Sequence, residues 1–450
     1  MDRTINVILK PLRRFATQKS SASFLLFMAT ILAMILANSP WAHAYHHILS
    51  YPIDLQVGKF GMFSHHGEPM PMLAFVNDAL MAVFFFVIGL EIKQEVLIGE
   101  LSSMRKAILP VIAACGGMIV PVLFYILVCN TSPEIRGAAI PMATDIAFAL
   151  AVLGLLGKRV PLGMRIFLTA LAVVDDIGGI IIIALFYSGD IAYQPLLISL
   201  ALLALLYVGG KMRINNNLFY YIVGFFVWVL FLESGIHPTI AGVLVAFTVP
   251  ARPKINLNDF TCDMTGYLNM LDYTEVRQCK KAAALTPTQI QVLNNIHSLA
   301  DRTISPLQSI ADKLHPLVNY LILPLFAFVN AGVTFGDIQP ASLVNVPLAV
   351  VAGLFIGKTL GIFPFTYLFA RTNMGSLPTG MTRMNLFGVS MLGGIGFTVA
   401  LFIANLSFIG MGDAGIDLLN QAKLGVFAGS FISGLCGYLI LKKVLPKNVV

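Results

Sequence analysis

Residues 168–187 read LTALAVVDDIGGIIIIALFY. The run has the length of a bilayer span, about 20 apolar residues, yet it carries two adjacent carboxylates, Asp175 and Asp176, near its middle. A charged side chain at the centre of a membrane helix costs on the order of 3 kcal/mol on insertion scales. Two in a row need a reason, and the usual one is a route for ions or protons.

The rest of the chain has the same character. Its 450 residues are 57% hydrophobic and 11% charged, with a mean hydropathy of +0.83. A soluble domain carries roughly 25% charged residues. The composition therefore predicts an all-α polytopic membrane protein, because helices satisfy their own backbone groups in lipid. Twelve apolar stretches have spanning length: 22–38, 72–92, 107–129, 138–157, 163–187, 194–210, 218–233, 236–250, 316–334, 345–370, 386–409 and 422–441. They divide the chain into an N-terminal arm (1–21), eight spans (22–250), a polar loop (251–313), four spans (314–441) and a tail (442–450). The loop 39–71 between the first two spans contains IDLQVGKFGMFSHH, short alternating runs around Gly58 and Gly61 that suggest a small β-hairpin. The polar loop 251–313 is expected to form short helices without a direct part in chemistry.

Lysine and arginine set the orientation. With the N-terminus inside, 25 of the 29 fall on inner segments, three (Lys59, Arg136 and Lys423) on outer ones, and Lys358 in mid-span. Both termini are thus expected in the cytoplasm. The net charge of +7 is accounted for by this bias and suggests no nucleic-acid surface. The first apolar run reads as a retained helix rather than a cleaved signal. The five cysteines are scattered and show neither a disulfide framework nor zinc-ligand spacing.

Polar residues inside the other spans are few. The second has Asn77 and Asp78 towards one end and Glu91, Lys93 and Glu95 at the other. In the fourth, AAIPMATDIAFAL, Pro141 removes a backbone donor just before Thr144 and Asp145. In the tenth, Lys358 lies too deep to snorkel, and Gly353, Gly357 and Gly361 form a stripe of small residues that lets another helix approach. In the eleventh, Gly393, Gly394 and Gly396 stand in GGIGFT; each weakens a helix by about 1 kcal/mol relative to alanine. The fourth and eleventh spans therefore both read as interrupted. Broken helices in corresponding places of two halves point to a transporter site between inverted repeats.

The strings NDALMAVFFFVIGLEIKQE, AIPMATDIAFAL, RIFLTALAVVDDIGGIIIIALFY, SGIHPTIAGV, LHPLVNYLILPLFAFVNAGV, GLFIGKTLGI and GGIGFTVALFIANLSF occur in order from about residue 70 to the C-terminus. In these the chain resembles the NhaA-type Na+/H+ antiporters, a family that is itself a standard example of the inverted-repeat rule. The resemblance implies twelve transmembrane helices with inverted repeats, the fourth and eleventh unwound and crossing near the bilayer centre. It implies that Asp176 is the principal cation and proton ligand with Asp175 beside it, and that Thr144 and Asp145 sit in the unwound part of the fourth helix. Asp145 would balance facing helix N-termini, and Lys358 facing C-termini or Asp175. Asp78, Glu91, Glu95 and His237 fall at the family's funnel and pH-response positions. A glutamate that some members carry before LHP is here Ala311, with Asp312 adjacent. The implied setting is a bacterial inner membrane, a homodimer among lipids, and a role in pH homeostasis.

The expected activity is electrogenic, pH-regulated exchange of cytoplasmic Na+ or Li+ for external H+, with no cofactor. Hard alkali cations prefer oxygen ligands, so proton and metal compete for one set of carboxylates. The alternative is a Na+-coupled symporter of an organic anion, which would need groups to hold that anion. An ion channel would need a repeated filter, and an enzyme a motif such as HExxH or GxSxG. Neither feature is visible in the sequence.

Overall fold

A computed structural model describes residues 19–53, 56–57, 60–61, 64–65, 68–187, 191–212, 214–270, 285–334, 344–372, 377–409 and 411–446. The arm before residue 19, the middle of the polar loop and the last four residues of the tail lie outside them. The helices, in chain order, are α1 (Lys19–Ala37), α2 (Ala42–Leu49), α3 (Met72–Leu97), α4 (Met104–Val128), α5 (Ile146–Gly154), α6 (Leu162–Phe186), α7 (Tyr193–Lys211), α8 (Asn217–Ser234) and α9 (Pro238–Thr248). They continue with α10 (Leu257–Met270), α11 (Pro287–Thr303), α12 (Pro306–Leu317), α13 (Leu323–Asn330), α14 (Val346–Ala370), α15 (Arg383–Leu392), α16 (Phe397–Phe408) and α17 (Gly412–Val444).

Among the described residues, seven helices are long and apolar enough to cross a membrane, or ten if each of three bent pairs is one span. The bent pairs are α1 with α2 (117°), the 3-10 segment Glu134–Met142 with α5 (45°), and α15 with α16 (45°). Helix α9, in the expected eighth span, has only 11 residues. In the expected ninth span, α12 passes through a π turn at Val318–Ile322 into α13.

Among the described residues between α2 and α3 lie five short strands. They form a three-stranded antiparallel sheet in the order β1 (Pro52–Ile53), β5 (Glu68–Pro71), β4 (Ser64–His65), and a two-stranded pair of β2 (Gln56–Val57) with β3 (Phe60–Gly61). Ile53 pairs with Met70 and Val57 with Phe60. The polar loop contains α10, α11 and α12. Helix α11 opens on a capping box, with Thr286 and Gln289 satisfying each other's backbone N–H groups.

Small residues decide how closely the helices pack. Helix α3 lies along α9, where a Cβ on Gly242 would meet the Ala82 carbonyl oxygen at 2.3 Å. Helix α4 lies along α14 in the same way: a Cβ on Gly361 would stand 2.2 Å from the Gly116 oxygen, and one on Gly357 2.6 Å from Pro121 Cα. The Gly353–Gly357–Gly361 stripe thus faces α4 and Pro141, whose Cβ comes within 2.6 Å of a Cβ placed on Gly353. That close approach sets the depth and rotation of the next residue on the stripe's helix, Lys358.

Candidate functional site

Helix α6 carries Asp175 and Asp176 into the interior, with 1% and 6% of their surfaces exposed. Successive residues on a helix point about 100° apart, so the two carboxylates have different neighbours. Asp175 Oδ2 receives the Lys358 ammonium at 2.5 Å and lies 2.7 Å from the Thr144 hydroxyl. Its other oxygen, Oδ1, is buried with no hydrogen-bond partner among the described residues. Lys358, fully buried at the end of a π turn in α14, also donates to Thr144 Oγ1 at 3.0 Å. Thr144 Oγ1 is 2.8 Å from the Gly393 carbonyl as well. One hydroxyl has one proton, so Thr144 accepts from Lys358 and donates either to Asp175 or to Gly393.

These contacts converge on two helix breaks. In the first, the chain leaves the 3-10 segment Glu134–Met142 at Ala143, turns to extended geometry through Asp145 and re-enters a helix at Ile146. In the second, Gly393–Gly396 separates α15 from α16. The breaks touch directly: the Asp145 N–H donates to the Ile395 carbonyl at 2.6 Å. Asp145 also serves two helix starts at once. Its Oδ1 accepts the Phe148 N–H of α5 (3.0 Å), and its Oδ2 accepts the Thr398 N–H (3.1 Å) and the Thr398 hydroxyl (2.5 Å) of α16. A carboxylate there meets the positive ends of both helix dipoles. Backbone groups freed by the breaks are therefore paired, as burial in an apolar bundle demands.

Asp175, Asp176, Lys358, Thr144, Asp145 and the glycine segment are thus brought together. The four remaining sequence candidates are not with them, and they separate into two sets. On α3, Asp78 and Glu91 lie 13 residues apart, about 20 Å along the helix. Glu91 faces His315 of α12 at 3.2 Å, and the Glu95 carboxylate accepts the Glu100 N–H at 3.0 Å. Towards the other end, Asp78 stands 3.8 Å from His237, whose ring contacts the Thr239 hydroxyl at 3.0 Å. Lys93 donates to the carbonyls of Phe247 and Val249 and so caps the C-terminus of α9. Lys423, expected on an outer segment, is 7% exposed within α17.

Several residues here were not singled out from the sequence. His315 stands in the LHP motif, and Thr398 directly follows the glycine segment. Asn330 joins Asn77 and Asn405 in a buried amide cluster between α3, α13 and α16, with Asn330 donating to Asn77 at 2.7 Å and accepting from Asn405 at 2.5 Å. An asparagine inside a membrane helix signals an interhelical hydrogen bond, but not which helix answers it.

Helices broken around buried charges, in a chain with this many apolar helices, define a multi-pass membrane protein of the secondary-transporter kind. Comparison with known proteins is specific. The profile of the family described as Na+/H+ antiporter 1 matches residues 13–441. A protein named Na(+)/H(+) antiporter NhaA from Parabacteroides distasonis is 82% identical over 450 residues, covering 100% of this chain and 99% of its own. Proteins of the same name from Bacteroides thetaiotaomicron and Porphyromonas gingivalis are 52% and 50% identical, each covering 98% of this chain, and 98% and 97% of their own lengths. The chain belongs to the Na+/H+ antiporter 1 family.

Proposed function

We propose that this protein exchanges Na+ or Li+ for H+ across a bacterial inner membrane, as a transporter and not an enzyme. Membership of the family supports the activity. The observation that carries the site is the unpartnered Asp175 oxygen beside Asp176, at the meeting of two broken helices. Asp176 lies beside it, buried with 6% of its surface exposed. Asp175, Asp176 and the Thr144 hydroxyl supply hard oxygen donors. Na+ arriving at Asp175 competes there with the Lys358 ammonium, and protons compete with Na+ for both carboxylates.

In this reading all twelve apolar segments span the membrane, the fourth and eleventh cross at their breaks, and both termini are cytoplasmic. The deprotonated site takes Na+ from the cytoplasm, the bundle reorients, and external protons displace the ion. Acid keeps the carboxylates protonated, so exchange fades at low pH and rises at alkaline pH. Glu91, Glu95 and His315 form the cytoplasmic entrance, and Asp78 with His237 belongs to the outward route. The exchange is electrogenic, and the protein works as a homodimer paired through its short strands by strand addition. Lys358 gives its charge to Asp175 and Thr144 rather than to an open cavity, which favours antiport over symport of an organic anion.

Asp176→Asn tests the assignment. In everted membrane vesicles the variant should be present at wild-type levels and give no Na+-dependent collapse of ΔpH. Substantial residual collapse would remove Asp176 from the site.

A further inference from the structure

Helix α16 begins at the second break, and its first N–H groups have no carbonyls behind them. A helix start is ordinarily capped by the side chain of the residue that precedes it. Here that residue is Gly396, which has none. The acceptor comes from another helix instead. Ser430 Oγ of α17 accepts the N–H of Gly396 at 3.3 Å and of Phe397 at 3.2 Å, and Asp145 takes the next N–H, that of Thr398. Ser430 is 7% exposed.

Its reach depends on small residues at every fourth position of α17. A Cβ on Gly425 would lie 2.8 Å from the Pro347 oxygen, one on Gly429 3.0 Å from Leu354, and one on Gly437 2.7 Å from Leu392. Helix α17 therefore lies flush against α14 and α15 and presents Ser430 to the break. Ser433, the remaining member of that series, is fully buried next to the break. Its oxygen is 2.6 Å from where a Gly394 Cβ would be, yet it makes no hydrogen bond among the described residues.

We propose that Ser430 is a positioning residue for exchange: it holds the first turn of α16 in trans, and so fixes the helix start that Asp145 faces. This role rests on the exchange reading above. With Ser430 intact, Asp145 shares the N–H groups of α16 with a neutral oxygen. Without it, two buried donors lose their acceptor and turn towards the Asp145 carboxylate, which changes the field at Asp175 and Asp176. The charged groups described on the elements packed against α17 are Asp145, Glu134, Arg136, Arg159, Lys358 and Arg383, with Asp413, Asp417, Lys423, Lys442 and Lys443 on α17 itself. Asp145 is the one that bonds to the first turn of α16 among the described residues.

The experiment is Na+-driven proton movement in proteoliposomes, measured against Na+ concentration and pH. Ser430→Ala should raise the Na+ KM by up to about fivefold, the ceiling if the roughly 1 kcal/mol that a helix cap contributes were lost wholly from Na+ binding, and shift the pH midpoint. Ser430→Thr keeps the oxygen and should restore both. Ser433→Ala, an equal deletion on the same face, should leave both unchanged. A slower Ser430→Ala transporter with wild-type KM and midpoint would make Ser430 a packing residue and overturn the proposal, as would the same shift in Ser433→Ala. If the alanine variant does not fold, Ser430→Cys, a weaker acceptor of similar size, should show a smaller shift of the same sign; an unmoved profile there also overturns it. An inactive wild type would overturn the exchange reading and this role together. An active wild type with unmoved Ser430 variants would overturn the role alone.

Discussion

Lys358 and Asp175 hold one another in a place where neither is tolerable alone. Breaking a buried ion pair by deleting one partner costs roughly 3–5 kcal/mol, whereas replacing both by apolar residues of similar size is often neutral. Lys358→Met should therefore lower the thermal midpoint of the detergent-solubilised protein markedly, and the double variant Asp175→Leu with Lys358→Met should recover most of the loss while remaining unable to exchange. Equal midpoints for the single variant and the wild type would mean that the pair carries no structural load. Among single residues, legibility followed cost. Asp175, Asp176, Asp145 and Lys358 stood out because a charge in an apolar run is expensive. Ser430 and Thr398 did not, because a hydroxyl in a membrane helix usually bonds the carbonyl four residues back, as Ser390 does to Leu386 and Thr366 to Ile362. Nothing in the sequence separates a hydroxyl that bonds its own helix from one that caps another. Proline misleads in a related way. Pro141 lies just before a break, whereas Pro110 and Pro121 stand inside α4 without ending it, and Pro121 forms part of the surface that receives Gly357.

At the level of elements, the glycine stripe of α14 is what keeps Lys358 at the breaks. Gly357→Val would place its Cβ 2.6 Å from the Pro121 backbone, and backbone does not yield as a side-chain tip does. Overpacking of this kind costs about 1–3 kcal/mol, so the variant should show a lower thermal midpoint, and a lowered Na+ KM as Lys358, the competitor of Na+ at Asp175, is pushed away. Gly179→Ala on α6 is the matched control: that glycine has open space around its Cβ position, and the change should be neutral or slightly stabilising. If both variants unfold at the same temperature, close approach does not set the packing of α4 on α14. The stripe was readable from its spacing of four, and so was the fragility of GGIGFT. The partners of these elements were not. That α4 and Pro141 fill the stripe, and that the two breaks bond through Asp145 and Ile395, are long-range facts with no local signature. The π turns at Phe75–Leu80, Val318–Ile322 and Ala352–Gly357 are equally silent in the sequence, because they shift a helix by a fraction of a turn without altering its hydrophobic pattern.

Across the whole molecule, one design recurs. A bundle of apolar helices keeps water and lipid from a handful of oxygen atoms, and backbone exposed at the second break is answered from elsewhere in the chain: the Asp145 N–H for Ile395, the Asp145 carboxylate for Thr398, and Ser430 for Gly396. Two further pairs lie towards the two ends of α3, Glu91 with His315 and Asp78 with His237. Under the proposed exchange, binding of the metal cation and loss of protons are a single linked event. The most direct test is to add Na+ to the purified protein in lightly buffered solution and count the protons set free, in the wild type and in Asp176→Asn. The wild type should release protons on Na+ addition, with apparent Na+ affinity weakening as the solution is made more acidic, and the variant should release none. Na+ binding to the wild type with no proton release, and with the same affinity at every pH, would contradict the shared-carboxylate account outright.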